Sequence, residues 1–179
     1  SQVIALLKEE DAHGSFSSFH VRRNDFVGAY KAVNIEPNEL VEGSLDHLDK
    51  HEIVYIATDE KDKDVFKPFH EHYRVRFLSD YYERAAVKEI NPNYVGMLEQ
   101  IIASHGRTFT GCWFSTFTAY ILRLRGHLQK PRGSNWSYYP PKKTYHHSYN
   151  LPENPLWASE WPFGWENLDE TGVPDMMAP

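Results

Sequence analysis

Two short segments carry the side chains best suited to bind an anion, and the first is FHVRRNDF, residues 19–26. His20 and Arg22 are two residues apart at the end of a predicted strand, so both should point to the same side of a sheet. The planar Arg22 guanidinium offers paired donors for a phosphate. The segment is equally compatible with a surface ion pair between Arg23 and Asp25 beside a capping histidine. The residues alone leave both interpretations open.

The second segment is GCWFSTFTAY, residues 111–120, in which a strand leads through a short turn into a predicted helix. The helix begins at Ser115, Thr116 and Phe117. Free backbone N–H groups and the positive end of the helix dipole favour an anion there, and two hydroxyls add donors. A role for Ser115 or Thr116 as a helix cap alone is more common. The phosphate interpretation gains support if both segments meet at one edge of a sheet.

Glu99, in MLEQIIASHG, is the third candidate, because a carboxylate can accept two N–H bonds from the edge of a guanine. On an amphipathic helix a glutamate is more often a solvated side chain, and position alone does not support the binding role. The acidic run at residues 57–64 could bind a metal or a ribose, although a solvated loop is the simpler interpretation. His146 and His147 lack the partners and spacing of a zinc site. We therefore predict no metal ligands.

Alternating strands and helices over the first 128 residues must position these candidates. The pattern predicts an α/β fold with a Rossmann-like parallel sheet covered by helices on both faces. In such sheets ligands bind beyond the carboxyl ends of the strands, where both anion-binding segments fall. The predicted strands are 16–21, 53–58, 75–78 and 108–111, and the predicted helices are 3–7, one opening at Pro37, 62–72, 93–105 and 115–125, the last stopped by Gly126. The residues predicted to be buried on these helices are Leu40, Val41, Leu45, Leu48, Leu98, Ile101 and Ile102.

Length, charge and cysteine content limit the classes of protein to which the chain can belong. The chain has 179 residues, of which 41% are hydrophobic and 25% charged, as in a globular protein of one domain or little more. A net charge of −6 argues against nucleic-acid binding, which needs a cationic face. The single cysteine, Cys112, excludes an intrachain disulfide, and no apolar run approaches the roughly 20 residues that span a membrane. The chain opens at Ser1 without an initiator methionine, which we interpret as a processed or partial chain.

Dinucleotide-binding and P-loop glycine motifs are both absent, which argues against a dehydrogenase and a P-loop NTPase.

The composition changes near residue 128. Eight of the 11 prolines and four of the 5 tryptophans lie in the last 51 residues. Prolines at this density argue against long helices and central strands, while the aromatic side chains offer much area to bury. We therefore predict that residues 129–179 form an extended aromatic and proline-rich tail packed on a surface.

Taken in order, the segments HVRRNDF, VYIATDE and LEQIIASHGRTFTGCWFSTFTAYI resemble the C-terminal half of the protein O-fucosyltransferases, most closely the branch that modifies thrombospondin-type repeats. The resemblance covers about residues 15–125. It implies that residues 1–128 are the nucleotide-sugar-binding lobe of a two-lobed GT-B glycosyltransferase. GDP-fucose would be the donor substrate, no cofactor would be required, and a protein Ser or Thr hydroxyl would be the acceptor. The resemblance also implies an ER or Golgi lumenal location.

Carried over residue by residue, the resemblance implies a role for each candidate. Arg22 would be the catalytic residue, contacting the diphosphate and stabilising charge on the leaving GDP. His20 would help to hold the nucleotide. The phosphates would be cradled by the three residues at the helix start, Ser115, Thr116 and Phe117.

Glu99 stands where the family has an aspartate that reads guanine, so its side chain is one methylene longer. The family's general base lies in the N-terminal lobe, and we expect it outside this chain, in such a lobe or in a partner chain. The alternative is a non-catalytic interaction or structural protein that retains the Rossmann-like lobe. Retained Arg22, Ser115 and Thr116 favour the enzyme, whereas the missing lobe and the long tail favour the alternative.

Overall fold

The computed structural model describes residues 1–24, 35–112, 115–139 and 142–146. Within them, strands and α-helices alternate along most of the chain. In chain order the elements are α1 (Gln2–Glu9), β1 (Ser17–Val21), α2 (Pro37–Ser44), β2 (Ile53–Thr58), α3 (Lys67–His70), β3 (Arg74–Arg76), α4 (Val95–Ser104), β4 (Phe109–Cys112), α5 (Thr116–His127), β5 (Asn135–Tyr139) and β6 (Lys142–His146). Short 3₁₀ helices cover Lys63–Phe66, Leu78–Tyr81, Val87–Glu89, Pro92–Tyr94 and Arg132–Ser134.

The strands form one sheet in the order β3-β2-β1-β4-β5-β6. The first five run parallel, and β6 returns antiparallel beside β5. In the central register Phe19 of β1 lies opposite Ile56 of β2 on one side and Thr110 of β4 on the other. The predicted α/β class with a parallel Rossmann-like sheet is therefore confirmed.

The near-continuous apolar sequence of β2 follows from burial on both faces of the sheet. Tyr55 and Ala57 pack with α1 and α4, while Val54 and Ile56 pack on the opposite face with α2 and α3. Successive strand side chains point to opposite faces, so a strand covered on both sides needs no polar alternation. The predicted helices on both faces are confirmed.

Several details of the predicted helices are wrong. Leu45 is 50% exposed because Val41, Ser44 and Leu48 occupy the inward positions around it. Ile101 is 39% exposed, since its neighbour Ile102 occupies the inward position of α4. Gly126 lies inside α5 instead of ending it. The predicted strand 75–78 is shorter because Leu78 begins a 3₁₀ helix.

The stretch after residue 128 also contains a central strand, contrary to prediction. β5 lies between β4 and β6. Its five residues, NWSYY, contain no proline, although Pro131 and Pro140 lie close on either side. Composition averaged over the last 51 residues concealed this short proline-free window. Residues 147–179 lie outside the described residues, and the division at residue 128 stays a prediction.

Arg125, on α5, is fully buried and ties β5 to the rest of the lobe. Its Nε donates to Asn135 Oδ1 at 2.5 Å, and its Nη2 donates to Ser134 Oγ at 2.6 Å. Its remaining donors reach backbone carbonyls at the end of α4 and in the turn before β4, those of Ser104, Gly106 and Arg107. One guanidinium thus joins α5 to two other stretches of chain, residues 104–107 and 134–135.

Replacing Arg125 by methionine should strongly destabilise the fold, because several buried oxygens lose their donor together. We expect a loss of unfolding free energy of at least about 3 kcal/mol, measured by urea denaturation. Arg84→Met is the control: its side chain is 54% exposed and pairs with Glu10, so it should cost less than about 1 kcal/mol. Equal losses for the two variants would contradict the role assigned to Arg125.

Candidate functional site

A cavity of about 480 Å³ opens at the carboxyl ends of β1, β2 and β4. The residues predicted from three separate segments all line it: His20, Arg22, Glu99, Ser115, Thr116 and Phe117, together with Thr58, Asp59 and Gly96. The expectation that Arg22 and the start of α5 share one crevice is confirmed. The topology explains the convergence, since parallel strands bring their carboxyl ends to one edge of the sheet.

His20 is buried in the wall of this cavity. Its Nδ1 is 2.8 Å from Thr118 Oγ1, and its ring stacks on Phe117 with centroids 4.4 Å apart. Burial, and then the nearby Arg22 charge, lower the pKa of His20 to about 3. The imidazole is therefore neutral near pH 7 and offers hydrogen bonding without charge. The alternative of a capping histidine at the protein surface is therefore wrong, because His20 is buried.

A glycine allows the contact between His20 and α5. Gly111 of β4 lies opposite His20 in the sheet register. A Cβ at Gly111 would lie 2.5 Å from Thr118 Cγ2 and 2.8 Å from Phe109 Cζ, so a larger residue would force α5 or its side chains to shift. The missing side chain lets α5 approach β4 closely enough for Thr118 to reach His20. The same approach brings the first residues of α5 to the cavity.

The start of α5 supplies donors to the cavity. Ser115 occupies the N-cap position and is buried, but its side chain makes no capping hydrogen bond. Its hydroxyl is thus not used as the simple cap that the sequence also allowed. The first N–H groups of a helix have no acceptor within the helix, so a ligand oxygen in the cavity could accept from them. Thr116 adds an exposed hydroxyl at the same edge.

Asp59 holds the segment that carries Arg22. Its carboxylate forms an ion pair with the Arg22 guanidinium and accepts the backbone N–H of Arg23 at 2.8 Å. The Asp59 carbonyl accepts from Asn24 Nδ2 at 2.6 Å, and the Arg22 N–H donates to Tyr138 Oη at 3.1 Å. Both the backbone N–H and the guanidinium of Arg22 are therefore held in place at the cavity. The guanidinium is partly exposed, at 29% of its side chain, and can meet a ligand there.

The sequence interpretation gave Thr58 and Asp59 no role in the site, because it favoured a solvated loop for the acidic run that contains them. That assignment is wrong for Asp59, whose carboxylate is largely buried against Arg22. The available signal was its place directly after β2, at the edge where ligands bind. Arg23 pairs with Glu60 at 3.4 Å, whereas its predicted partner Asp25 lies outside the described residues.

Glu99 is not the solvated side chain that an amphipathic helix suggests. It lines the cavity, and a second recess of about 140 Å³ adjoins it beside Lys63 and Tyr82. Burial raises the pKa of Glu99 to about 7, and the Asp59 charge adds to this, while Lys63 and the Tyr55 hydroxyl act in the opposite direction. Near neutral pH the carboxyl group can therefore be ionised or protonated according to what binds beside it.

Comparison with protein families gives a match. The model of the family described as GDP-fucose protein O-fucosyltransferase matches residues 2–128. The chain belongs to this family. A search among curated proteins found no match. The O-fucosyltransferase match ends just after α5, so β5 and β6 lie beyond it although they belong to the same sheet.

Two features are not found among the residues that the structure describes, 1–24, 35–112, 115–139 and 142–146. No cluster of three or more histidine, cysteine, aspartate or glutamate side chains is placed there to hold a metal ion. None of the helices in that part is both long and apolar enough to cross a membrane.

The raised pKa of Glu99 predicts how the stability of the domain changes with pH. The folded state favours the protonated form, so stability falls as the pH rises from 4.5 through about 7, where the folded group ionises. Glu99→Gln, which stays neutral, should melt at a higher temperature than the parent at about pH 8. The difference should shrink as the pH falls and be lost near pH 4.5.

Thermal unfolding of both proteins across this range is the measurement, with Glu71→Gln, at an exposed glutamate, controlling for the amide substitution itself. A difference between parent and Glu99→Gln that stays constant with pH would contradict the burial of an ionisable Glu99.

Proposed function

We propose that the domain binds GDP-fucose in this cavity as the donor-binding lobe of a GT-B O-fucosyltransferase. One observation carries the proposal: residues from three segments, separated by up to about a hundred positions, line one cavity at the carboxyl edge of a parallel sheet. The family assignment supplies the substrate class, a nucleotide sugar. The cavity volume, about 480 Å³, is within the range of small-molecule sites.

The diphosphate would lie between Arg22 and the start of α5. Arg22 is held by Asp59 and presents the rest of its guanidinium to the cavity. On the facing side, the Ser115 hydroxyl and the first N–H groups of α5 provide uncharged donors. A guanidinium and a helix N-terminus together are a favourable environment for phosphate oxygens.

The guanine base would lie next to Glu99. An ionised carboxylate can accept both N–H groups of a guanine edge. The pKa of about 7 means that the ionised form is accessible when such donors arrive. Neutral His20, stacked on Phe117, would contact the nucleotide through hydrogen bonding without repelling Arg22.

Fucose transfer would then develop negative charge on the leaving GDP as the glycosidic C–O bond breaks. Arg22 would stabilise that charge, and the oriented donors of α5 would do the same without reorganising. The acceptor Ser or Thr hydroxyl needs a general base. We assign that base to an N-terminal lobe or a partner chain, and place the reaction in the ER or Golgi lumen, in keeping with the family.

Arg22→Lys should weaken GDP binding, because lysine cannot present two parallel donors to a phosphate and cannot keep the same pair with Asp59. Calorimetric titration with GDP measures the affinity, with Arg84→Lys on the exposed surface as the matched control. Where transfer occurs, its rate should drop about 10²- to 10³-fold. GDP affinity unchanged in Arg22→Lys would remove Arg22 from the proposed site.

Incubation with GDP-fucose separates the enzyme from a non-catalytic module. Release of fucose or its transfer to a protein, abolished in Arg22→Lys, supports the enzyme. Binding of GDP without release, even when an N-terminal lobe is supplied, would instead assign the cavity to a binding module. Absence of GDP binding by the parent would overturn the proposal altogether.

A further inference from the structure

An exposed apolar region runs along α4 and α5. It consists of five residues that are between 39% and 57% exposed: Tyr94, Met97, Ile101, Tyr120 and Leu128. We refer to these residues as the α4–α5 face. Tyr94, Met97 and Ile101 recur at intervals of three and four, so they share one side of the α4 region. Exposed apolar side chains grouped in this way commonly mark an interaction site.

α4 and α5 lie next to each other, with their corresponding ends adjacent. At one end, Gly96 lies against the Phe117 ring. At the other end, Ser104 accepts a hydrogen bond from Arg125 Nη1 at 3.2 Å. The helices therefore run side by side in the same direction. At 1.5 Å per residue, α5 extends for roughly 18 Å.

The charged side chains of α5 and those beside the end of α4 are positive. The α5 sequence, TFTAYILRLRGH, contains no aspartate or glutamate, and Arg123 lies 5.9 Å from the centre of the Tyr120 ring. Beyond the end of α4, the charges of Lys130 and Lys8 both act on His105. The single carboxylate of α4, Glu99, faces the cavity instead. An occupant of the face should therefore be apolar and acidic.

The last 33 residues of the chain, 147–179, have this composition. They contain six carboxylates and no lysine or arginine, so they carry the whole net charge of −6. They also contain Trp157, Trp161 and Trp165. Residues 1–146 are consequently neutral in total. Residues 147–179 are therefore both acidic and rich in tryptophan, as expected for an occupant of the α4–α5 face.

The position of His146, after which the segment begins, also favours the α4–α5 face as its docking surface. His146, the last residue of β6, lies opposite Trp136 of β5. The neighbouring residue Asn135 accepts the hydrogen bond from Arg125, near the end of α5. The segment therefore starts near the Leu128 end of the α4–α5 face. An extended chain of this length reaches up to roughly 100 Å, several times what the face requires.

We propose that residues 147–179 dock on the α4–α5 face. The tryptophans of the segment cover Tyr120, Ile101 and Met97, and its carboxylates lie near Arg123 and Lys130. Coverage of this face would stabilise α4 and α5. The proposal stands independently of GDP binding, because none of the five residues of the face lines the cavity.

Glu-specific limited proteolysis of the full chain tests the proposal, since Glu153, Glu160 and Glu166 lie in the segment. In the double variant Tyr120→Ser/Ile101→Ser, cleavage at these sites should be about tenfold faster than in the parent, as the population of released segment rises. Leu45→Ser is the matched control, because Leu45 is 50% exposed at the end of α2, which packs on the opposite face of the sheet. Its cleavage rate should equal that of the parent.

A second variant, Arg123→Glu, tests the electrostatic part without removing an apolar residue. It should also accelerate cleavage, whereas added salt should have a smaller effect on this variant than on the parent. Thermal unfolding of every variant establishes that the lobe is folded.

Three results would overturn the proposal. They are cleavage rates unchanged in both α4–α5 variants, acceleration in Leu45→Ser alone, and protection of the segment that increases with protein concentration. The last result would assign the face to contacts between two copies of the chain.

Discussion

The buried guanidinium of Arg125 is the interaction on which the arrangement of the lobe depends. A cation without solvent contact is costly unless its donors are satisfied, and here they reach oxygens of Ser104, Gly106, Ser134 and Asn135. These oxygens belong to the end of α4, the entry to β4 and the start of β5. Moving any one of these pieces would leave buried polar groups unpaired. Arg125 therefore fixes α5 against its neighbours, and α5 in turn forms one wall of the cavity.

The cavity depends on a second constraint, the close approach of α5 to β4 at Gly111. Without a side chain there, Thr118 reaches His20, and Phe117 stacks on the same ring. His20 and Arg22 share one side of the β1 end, so fixing His20 also fixes the place where Arg22 emerges. Asp59, from the end of β2, then pairs with Arg22. The positions of His20 and Arg22 thus follow from how closely α5 packs against β4 and from the contacts that this packing allows.

The site could be predicted from the sequence because the carboxyl ends of parallel strands meet at one edge of the sheet. Any residue just after a strand, or at the start of the following helix, was therefore a candidate. The sequence also predicted β2, whose apolar run IVYIAT admits one explanation, burial on both faces. The prediction was wrong at Ile101, which is exposed while its neighbour Ile102 is buried. The period of apolar residues does not define the orientation of a helix about its axis closely enough to choose between two adjacent residues. The prediction was also wrong for Asp59, whose partner is 37 positions away, and for β5, whose place is set by pairing with β4 and by Arg125. None of these is encoded in local composition.

The charges in the cavity bear on how an anion could be selected there. Asp59 already offsets the positive charge of Arg22, and Glu99 adds a second carboxyl group, so the cavity is not a general cationic site. Binding of a diphosphate would therefore rely on directional donors at Ser115 and the start of α5 as much as on net charge. A phosphate nearby would favour protonated Glu99, whereas two N–H donors from a base would favour the ionised form. With its pKa at about 7, Glu99 can adopt either state at little cost. If the proposed function holds, inorganic phosphate would engage only Arg22 and the donors of α5, whereas a guanine nucleotide would also engage Glu99. Selection of the nucleotide would then come from the base and not from charge.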